Sequence, residues 1–420
     1  MITLLIFLFM KVPVYLSVLA GCVSYFLLES NIPTLISSQR FISGIESISL
    51  LAIPFFVATG VFMNSSGITK RIMNFASVLT GRMTGGLAQV NVVLSTLMGG
   101  LSGSNLADAA MQSKMLVPEM EEKGFSKEFS SVVTATSSLI TPIIPPGIGL
   151  IVYGTVTNTS VGKLFISGVG IGLFLCLTLM FVVSMVSKKR GYVPIRNERI
   201  TFKEFFDAFK GAFFPLLLPV IIIGGIRIGF FTPTEAGSVA ILYSILLGLI
   251  YKKLKFKNII EGIKDTILTT SSIMLIVGAA SALSWIFTRE RIPQILTSMM
   301  LDTINNKYFF LFIINMFLIF VGMLVEGNAI TIILGPLLAP IATAFGIDPI
   351  HFGMIFIFNI SVGTMSPPMG MLMFITCDIT KCKIDKFMKE AIPFYIMLIV
   401  VLFIITYFPI LSTGLVKLFF

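Results

Sequence analysis

Two short polar stretches interrupt an otherwise apolar chain, and both carry residue types that suit small ions. Residues 99–105 read Gly-Gly-Leu-Ser-Gly-Ser-Asn, and residues 325–328 read Val-Glu-Gly-Asn. Each is followed about forty positions later by a Pro-Pro pair, at residues 145–146 and 367–368. Prolines release backbone carbonyls from helical hydrogen bonds, and hydroxyl and amide groups add further oxygens for a hard cation. One break alone is ordinary helix packing, but four in matched positions favour ion binding.

The polar stretches are predicted to face the proline breaks of the same half. In the first half, Ser102, Gly103, Ser104 and Asn105 face residues 141–147, which begin at Thr141 and contain three prolines. In the second half, Gly327 and Asn328 face residues 361–368, which include Gly363, Thr364, Met365 and Ser366. Half-helices that begin after each break direct positive dipole ends to the centre, which suits an anionic substrate.

Four charged side chains and one histidine have open roles. Glu326 lies at a turn within the bilayer, and three roles are open for it: binding sodium, holding substrate, or capping the adjacent backbone amides. Asp108 neutralises a cation or makes a structural hydrogen bond. His351 begins a helix near the outer surface and is interpreted as structural rather than as a proton relay. Arg227 and Glu235 flank the turn at residues 232–234, where a pair between them is an open alternative.

The composition is that of an integral membrane protein. Of 420 residues, 56% are hydrophobic and only 12% are charged, with a mean hydropathy of +0.98. Uncharged runs such as 164–186 and 394–410 match the length of membrane-crossing helices. The formal charge of +10 lies in short clusters between apolar runs, which is typical of cytoplasmic loops and argues against nucleic-acid binding. The four cysteines show neither a disulfide framework nor zinc-site spacing.

Charge placement predicts the topology. Basic clusters at 188–210 and 252–264 are placed in the cytoplasm, with two apolar runs, 213–231 and 236–251, between them. The regions 85–120 and 309–341 must each begin and end on one side, so each is predicted to enter the membrane, turn at its polar stretch and return. The remaining predicted spans are residues 4–28, 47–63, 129–153, 164–186, 266–287, 351–377 and 394–410.

The same order of elements therefore occurs twice with opposite orientation: span, span, re-entrant hairpin, broken span, span. This predicts an all-α polytopic membrane protein made of two inverted-topology repeats, a design that indicates a secondary transporter with its site between the repeats. The predicted divisions are scaffold helices at 1–84 and 235–307, hairpin, broken helix and following span at 85–187 and 308–420, and a connecting region at 188–234. The N-terminus is predicted to be cytoplasmic, with a retained first span in which Lys11 lies.

At these residues the chain resembles the large membrane subunit of the tripartite ATP-independent periplasmic (TRAP) transporters. The resemblance spans the whole chain and rests on a set of short motifs that is specific only when taken together. They include Leu-Ser-Gly-Ser-Asn-Leu-Ala-Asp-Ala-Ala at 101–110, Ile-Pro-Pro at 144–146, Thr-Pro-Thr-Glu-Ala at 232–236, Val-Glu at 325–326, His-Phe-Gly at 351–353 and Met-Ser-Pro-Pro-Met-Gly at 365–370.

The resemblance implies a sodium-driven importer of small organic acids in the bacterial inner membrane, working by an elevator-like shift. It also implies two partners, a small four-helix membrane subunit, expected here as a separate polypeptide, and a periplasmic substrate-binding protein. The sodium sites that it implies are Ser102, Gly103, Asn105, Pro145 and Gly147, and Gly327, Asn328, Gly363, Thr364 and Met365. The candidate substrate contacts are Ser104, Glu326, Thr141 and Ser366. The acids that the resemblance implies include C4-dicarboxylates and sialic acid; sialic-acid members are expected to carry Asp at the position of Glu326, which disfavours sialic acid here without excluding it.

Three other functions remain as alternatives. A stand-alone ion-coupled carboxylate carrier of similar inverted-repeat design would work without a binding protein. An intramembrane enzyme would need paired aspartates, a Ser-His dyad or a metal motif at membrane depth, and the sequence has none of these. A non-transporting scaffold would not need four matched helix breaks.

Overall fold

The computed structural model describes residues 2–10, 12–29, 33–46, 48–196, 198–304 and 306–420, and every regular element among them is a helix. Six described helices are long and apolar enough to cross a membrane, and a bent pair, α4 with α5, would make a seventh. The predicted class of an all-α polytopic membrane protein is confirmed.

The amino-terminal helices differ from the predicted spans. The chain forms α1 (Ile2–Phe9), α2 (Val14–Leu28), α3 (Leu35–Ile45), a short 3-10 turn (Ile48–Leu51), α4 (Ala52–Ser65) and α5 (Ile68–Thr80). Leu4 packs against Gly21, so α1 folds back along α2 and the predicted single span at 4–28 is wrong. Pro13 immediately precedes α2. Its ring restricts the backbone of the preceding residue, and this separates the two helices. Lys11 and Ser47, on which two predictions fall, lie outside the described residues.

The first half then builds a hairpin, a broken helix and a long helix. These are α6 (Gly86–Ser102), α7 (Asn105–Glu122), α8 (Lys127–Ser138), α9 (Ile148–Val156) and α10 (Val161–Arg190). Ser126 caps α8 by accepting a hydrogen bond from the Phe129 amide at 3.3 Å, and Gly124, with φ +86°, follows the end of α7. A serine cap at the start of a helix and a positive-φ glycine after its end are common boundary signals in sequences.

In the described part of the chain, four helices lie between α10 and the second hairpin. They are α11 (Phe202–Arg227), α12 (Pro233–Ile250), α13 (Phe256–Arg289) and α14 (Ile292–Thr303). Thr201 with Glu204, and Thr232 with Glu235, form capping boxes that start α11 and α12. Glu235 is therefore held by Thr232, while Arg227 donates to the Phe419 carbonyl at 3.3 Å, so the structure shows no pair between Arg227 and Glu235.

The second half repeats the elements of the first. Its helices are α15 (Lys307–Gly322), α16 (Gly327–Ala344), α17 (Pro349–Met365), α18 (Met371–Thr380), α19 (Ile384–Tyr407) and α20 (Ile410–Phe419). The Pro-Pro pairs at 145–146 and 367–368 lie in the two breaks, and both have a cis peptide bond.

The two halves interlock in a reciprocal way. Helix α7 of the first hairpin packs on α18, and α16 of the second hairpin packs on α9. Likewise α8 packs on α19, and α10 packs on α17. Each hairpin thus lies against the broken helix of the other half, and this arrangement places the two hairpin turns near each other.

The long helices present apolar side chains outward. On α10, Leu173, Leu177, Phe181 and Met185 are exposed at intervals of four residues. This spacing puts them on one face of the helix. Such a stripe is unfavourable in water but fits contact with lipid or with another membrane protein.

Candidate functional site

A cavity of about 470 Å³ lies where the two hairpin turns meet. Its walls come from both hairpins, both broken helices, the start of α2 and the middle of α13. Seven of the predicted site residues line it: Gly103, Ser104, Asn105, Glu326, Gly327, Asn328 and Thr364. These seven residues come from the two hairpin turns and the second break, and Pro142 of the first break lines the cavity beside them, so parts of all four breaks meet there.

The first hairpin turn is tightly seated on the first break. Gly103 has φ +60°, and a Cβ atom there would lie 2.5 Å from the Pro146 carbonyl oxygen, so only glycine fits. The Gly103 carbonyl accepts a hydrogen bond from the Ile148 amide at 3.3 Å. Ser104 caps α7 by accepting from the Ala107 amide at 3.4 Å. The amino end of α7 consequently opens into the cavity.

The second turn is built like the first, but its capping side chain is a carboxylate. Glu326 caps α16, with Oε2 accepting from the Ala329 amide at 3.0 Å and Oε1 accepting from Asn328 Nδ2 at 2.8 Å. A Cβ atom on Gly363 would lie 2.7 Å from the Gly322 backbone, which shows how closely this hairpin approaches the second break. Of the roles open for Glu326, the capping geometry is present, and the side chain also lines the cavity.

A hydrogen bond across the cavity joins the two halves. Asn105 Nδ2, in the first turn, donates to Thr364 Oγ1, at the second break, at 3.3 Å. The Thr364 hydroxyl in turn donates to the Ser361 carbonyl at 2.7 Å. The first hairpin turn thus touches the breaks of both halves, whereas the sequence predicted contact within its own half alone.

The other predicted residues lie behind the cavity wall. Ser102 is buried, and its hydroxyl has no hydrogen-bond partner among the described residues. The Met365 carbonyl accepts from the Tyr395 hydroxyl at 2.6 Å, and the Ser366 hydroxyl donates to the Val362 carbonyl at 2.9 Å. The residues that do not line the cavity are Ser102, Thr141, Pro145, Gly147, Gly363, Met365 and Ser366.

Asp108 is the centre of a buried polar network behind the first turn. Its Oδ2 atom accepts hydrogen bonds from Ser95 at 2.8 Å, Gln112 at 2.8 Å and Thr141 at 3.2 Å. Thr141 is therefore occupied by Asp108 and does not point a free hydroxyl at a substrate. The network connects α6, α7 and the first break, which supports the structural interpretation of Asp108.

His351 also has structural contacts. It is 2% exposed, with Nδ1 2.7 Å from the Ser412 hydroxyl and Nε2 3.1 Å from the Thr406 carbonyl. Both ring nitrogens are thus engaged between α17 and the end of the chain, as the structural interpretation requires.

The cavity wall opposite the hairpins was not predicted from the sequence. Thr269 and Ser272 of α13 line the cavity, as do Pro13 and the first two residues of α2, Val14 and Tyr15. The available signal was the run Thr-Thr-Ser-Ser at residues 269–272, in the middle of an otherwise apolar helix. A polar run on a spanning helix points to a water-filled or ligand-bearing space.

The donor set around the turns suits a hard cation. Hydroxyl, amide and backbone carbonyl oxygens are abundant there, and no group of three or more His, Cys, Asp and Glu side chains occurs in the described part of the chain. The buried Ser102 hydroxyl, which lacks a partner, offers an oxygen beside the first turn. Neutral oxygens of this kind fit sodium better than a transition metal.

Comparison with known families identifies the protein class. A family model described as "Tripartite ATP-independent periplasmic transporter, DctM component" matches residues 1–411. The chain belongs to this TRAP family. It is thus a multi-pass membrane protein and a transporter permease by family, as its motifs had indicated.

Individual relatives of this TRAP protein are named for different substrates. The sialic acid TRAP transporter large permease protein SiaM of Vibrio cholerae is 39% identical, with 98% of this chain and 96% of the relative covered. The C4-dicarboxylate TRAP transporter large permease protein DctM of Pseudomonas aeruginosa is 36% identical over 88% of this chain and 86% of the relative. The chain is therefore similar to permeases for chemically distinct acids.

A solved structure has a similar fold. The YdaH transporter of Alcanivorax borkumensis, described as having an unusual topology, matches with a TM-score of 0.59 and 14% identity. The match covers 91% of this chain and 87% of the other. At this identity the likeness concerns the fold alone.

Proposed function

We propose that this TRAP-family chain is the large membrane subunit of a sodium-driven importer of small organic acids. The observation that carries the proposal is the single cavity shared by both hairpin turns and both helix breaks. Such a cavity offers oxygens for ions and helix amino ends for an anion in one place.

Sodium coupling is supported by the oxygen atoms near each turn. One ion would be held near Ser102, Gly103 and Asn105 with the break at Pro145 and Gly147. A second would be held near Gly327 and Asn328 with the break at Gly363, Thr364 and Met365. Residues behind the cavity wall contribute backbone oxygens in this scheme. The Asn105 to Thr364 hydrogen bond links the two ion positions.

An anionic substrate is supported by the two helix ends. The first residues of α7 and of α16 line the cavity, so both positive dipole ends point into it. Ser104 and Glu326 are the side chains placed to form hydrogen bonds with the substrate, whereas Thr141 and Ser366 act behind them. Sialic acid and C4-dicarboxylates, the substrates in the relatives' names, are the first acids to test.

The moving unit would consist of both hairpins and both broken helices, because these elements interlock. It would slide against a wall formed by α2, α4 and α13 in an elevator-like movement. The proposed setting is the bacterial inner membrane with the N-terminus in the cytoplasm. The proposed partners are a small four-helix membrane subunit and a periplasmic substrate-binding protein.

Uptake into proteoliposomes tests the proposal. The chain is reconstituted with its small subunit, and radiolabelled sialic acid or succinate is added with the binding protein, with and without an inward sodium gradient. We expect uptake that needs both the gradient and the binding protein. Equal uptake without the gradient would contradict sodium coupling. Equal uptake without the binding protein would favour the stand-alone carboxylate carrier.

A further inference from the structure

A second cavity, of about 450 Å³, lies farther along α13 toward Arg289. Its lining residues on α13 lie between Val277 and Thr288, whereas the first cavity is lined by α13 residues between Thr269 and Ile276. The midpoints of the two segments are about ten residues apart, which is about 15 Å along a helix. The end that carries Arg289 is the one that the charge pattern predicts to face the outside.

The second cavity lies between the proposed wall and the proposed moving unit. One side consists of α3 and α13, and the other consists of Thr155 and Val156 at the end of α9 with Ile332 and Pro336 of α16. The two cavities thus share α13 as one side and have different parts of the same hairpin unit opposite. A sliding unit would carry its turns from one cavity to the other.

The charges of the two cavities differ. Arg40 is the charged residue that lines the second cavity, and no carboxylate lines it in the described part of the chain. The Arg40 guanidinium lies 5.9 Å from the centre of the Trp285 ring and forms no ion pair with a described residue. By contrast, no described basic residue lines the first cavity, whose wall on α13 offers hydroxyls of Thr269 and Ser272.

Arg40 belongs to the wall because α3 is packed closely on α13. A Cβ atom on Gly44 would lie 2.4 Å from Ser281 Cβ, and one on Gly278 would lie 2.9 Å from atoms of both Phe41 and Ile45. Such close approach holds the two helices together. Arg40 therefore stays beside Trp285 when the hairpin unit moves.

We propose that the second cavity is the outer position of the transport site and that Arg40 binds the carboxylate of the incoming acid there. This rests on the proposed function. In that position the hairpin turns face Ser281, Ser284 and Trp285, and the guanidinium offers paired donors to a carboxylate. At the inner position the substrate has no such cation on the wall. The wall therefore favours capture outside and release inside.

An anion at Arg40 could come from two sources, an organic acid or the phosphate of a lipid headgroup. Both would form the same charge-assisted hydrogen bonds. The two are separated by comparing vesicles of phosphatidylcholine alone with vesicles that also contain phosphatidylglycerol. A substrate role predicts the same effect of an Arg40 substitution in both lipid mixtures.

The test measures uptake of sialic acid or succinate, whichever wild type transports, by the complete complex in proteoliposomes. Arg40→Gln is expected to raise the apparent KM for loaded binding protein about tenfold or more, with Arg40→Lys intermediate. Arg289→Gln is the matched control, because Arg289 lies 5.7 Å from the same ring but does not line the cavity. Its KM should stay within about twofold of wild type.

A second readout does not depend on transport rate. Ser284→Cys places a thiol in the cavity, while the four native cysteines are buried. Substrate should protect this thiol from an impermeant reagent added outside, and adding Arg40→Gln should abolish the protection. An unchanged KM and unchanged protection in Arg40→Gln would overturn the inference while leaving the proposed function intact. An effect seen only with phosphatidylglycerol would overturn it in favour of lipid, and no uptake by wild type would overturn both proposals.

Discussion

Each hairpin turn must end one helix and start the next, and the two turns do so with different side chains. In the first, Gly103 and Ser104 end one helix and start the next with neutral groups alone. In the second, the Glu326 carboxylate caps α16 and also holds Asn328. Both turns were predicted from residue types, because glycine, hydroxyl and amide groups rarely cluster within apolar spans. The cross-cavity bond of Asn105 was not predicted, since nothing in a linear pattern pairs residues 105 and 364.

The Asn105 to Thr364 hydrogen bond is expected to couple the two proposed ion positions. Asn105→Ala and Thr364→Val should each weaken the sodium dependence of uptake, and the double variant should be little worse than either single one. The expected coupling is about 1 kcal/mol, the usual net contribution of one hydrogen bond within a protein. A double-mutant cycle on the half-saturating sodium concentration measures it, and simple additivity would contradict the link.

Gly103 is expected to tolerate no side chain. Gly103→Ala combines a left-handed backbone with a Cβ atom 2.5 Å from the Pro146 oxygen. Gly229→Ala is the control, because Gly229 also has a positive φ, +76°, but has nothing within 4 Å of the added atom. The control should cost about 1 kcal/mol from the backbone alone, whereas Gly103→Ala should cost clearly more and abolish uptake. Thermal unfolding in detergent and uptake assays decide the comparison, and equal losses would exclude the steric cause.

At the scale of helices, the sequence predicted the order of elements better than their ends. The hairpins and broken helices occur where the polar stretches and Pro-Pro pairs placed them. The fold-back of α1 on α2 was missed, because an apolar run long enough for one span also fits two short helices. Helices α3 and α14 were missed too. Helix α3 contains several polar residues and packs on α13, so tertiary contact rather than its own pattern stabilises it.

The Asp108 network is expected to stabilise the junction of α6, α7 and the first break. Asp108→Ala would leave the Ser95, Gln112 and Thr141 donors without their acceptor, at a cost of about 3 kcal/mol. Asp378→Ala is the matched control, because its ion pair with Lys381 is largely exposed and should matter by less than about 0.5 kcal/mol. Thermal unfolding in detergent should show a lower midpoint for the first variant alone. Similar midpoints would refute a structural role for the network.

The reciprocal packing joins the hairpins and broken helices of both halves into one unit. Ser131 of α8 and Thr380 of α18, which belong to different halves, lie 3.0 Å apart between hydroxyl oxygens. By contrast, Ser104 of the hairpin and Ser272 of α13 line the same cavity from different helices. The first pair lies within the proposed moving unit, whereas the second pair has one residue on that unit and one on the wall.

These two pairs distinguish movement from a static site. Cross-linking Ser104→Cys to Ser272→Cys with a bifunctional thiol reagent should abolish uptake, because it ties the unit to the wall. A disulfide between Ser131→Cys and Thr380→Cys should leave most uptake intact, because both residues move together. Radiolabelled uptake before and after reduction is the measurement for the disulfide pair, with single-cysteine variants as controls. Full uptake by the first cross-linked pair would rule out an elevator-like movement.

The Asn105 to Thr364 bond also has a consequence for synthesis of the chain. The ribosome completes the first hairpin more than two hundred residues before Thr364 is made. Until then, the first turn lacks its distant partner and α7 lacks α18. Contacts between residues so far apart form late and slow the folding of a chain. The amino-terminal half is therefore expected to stay inserted in the membrane but incompletely folded until the carboxy-terminal half has been synthesised.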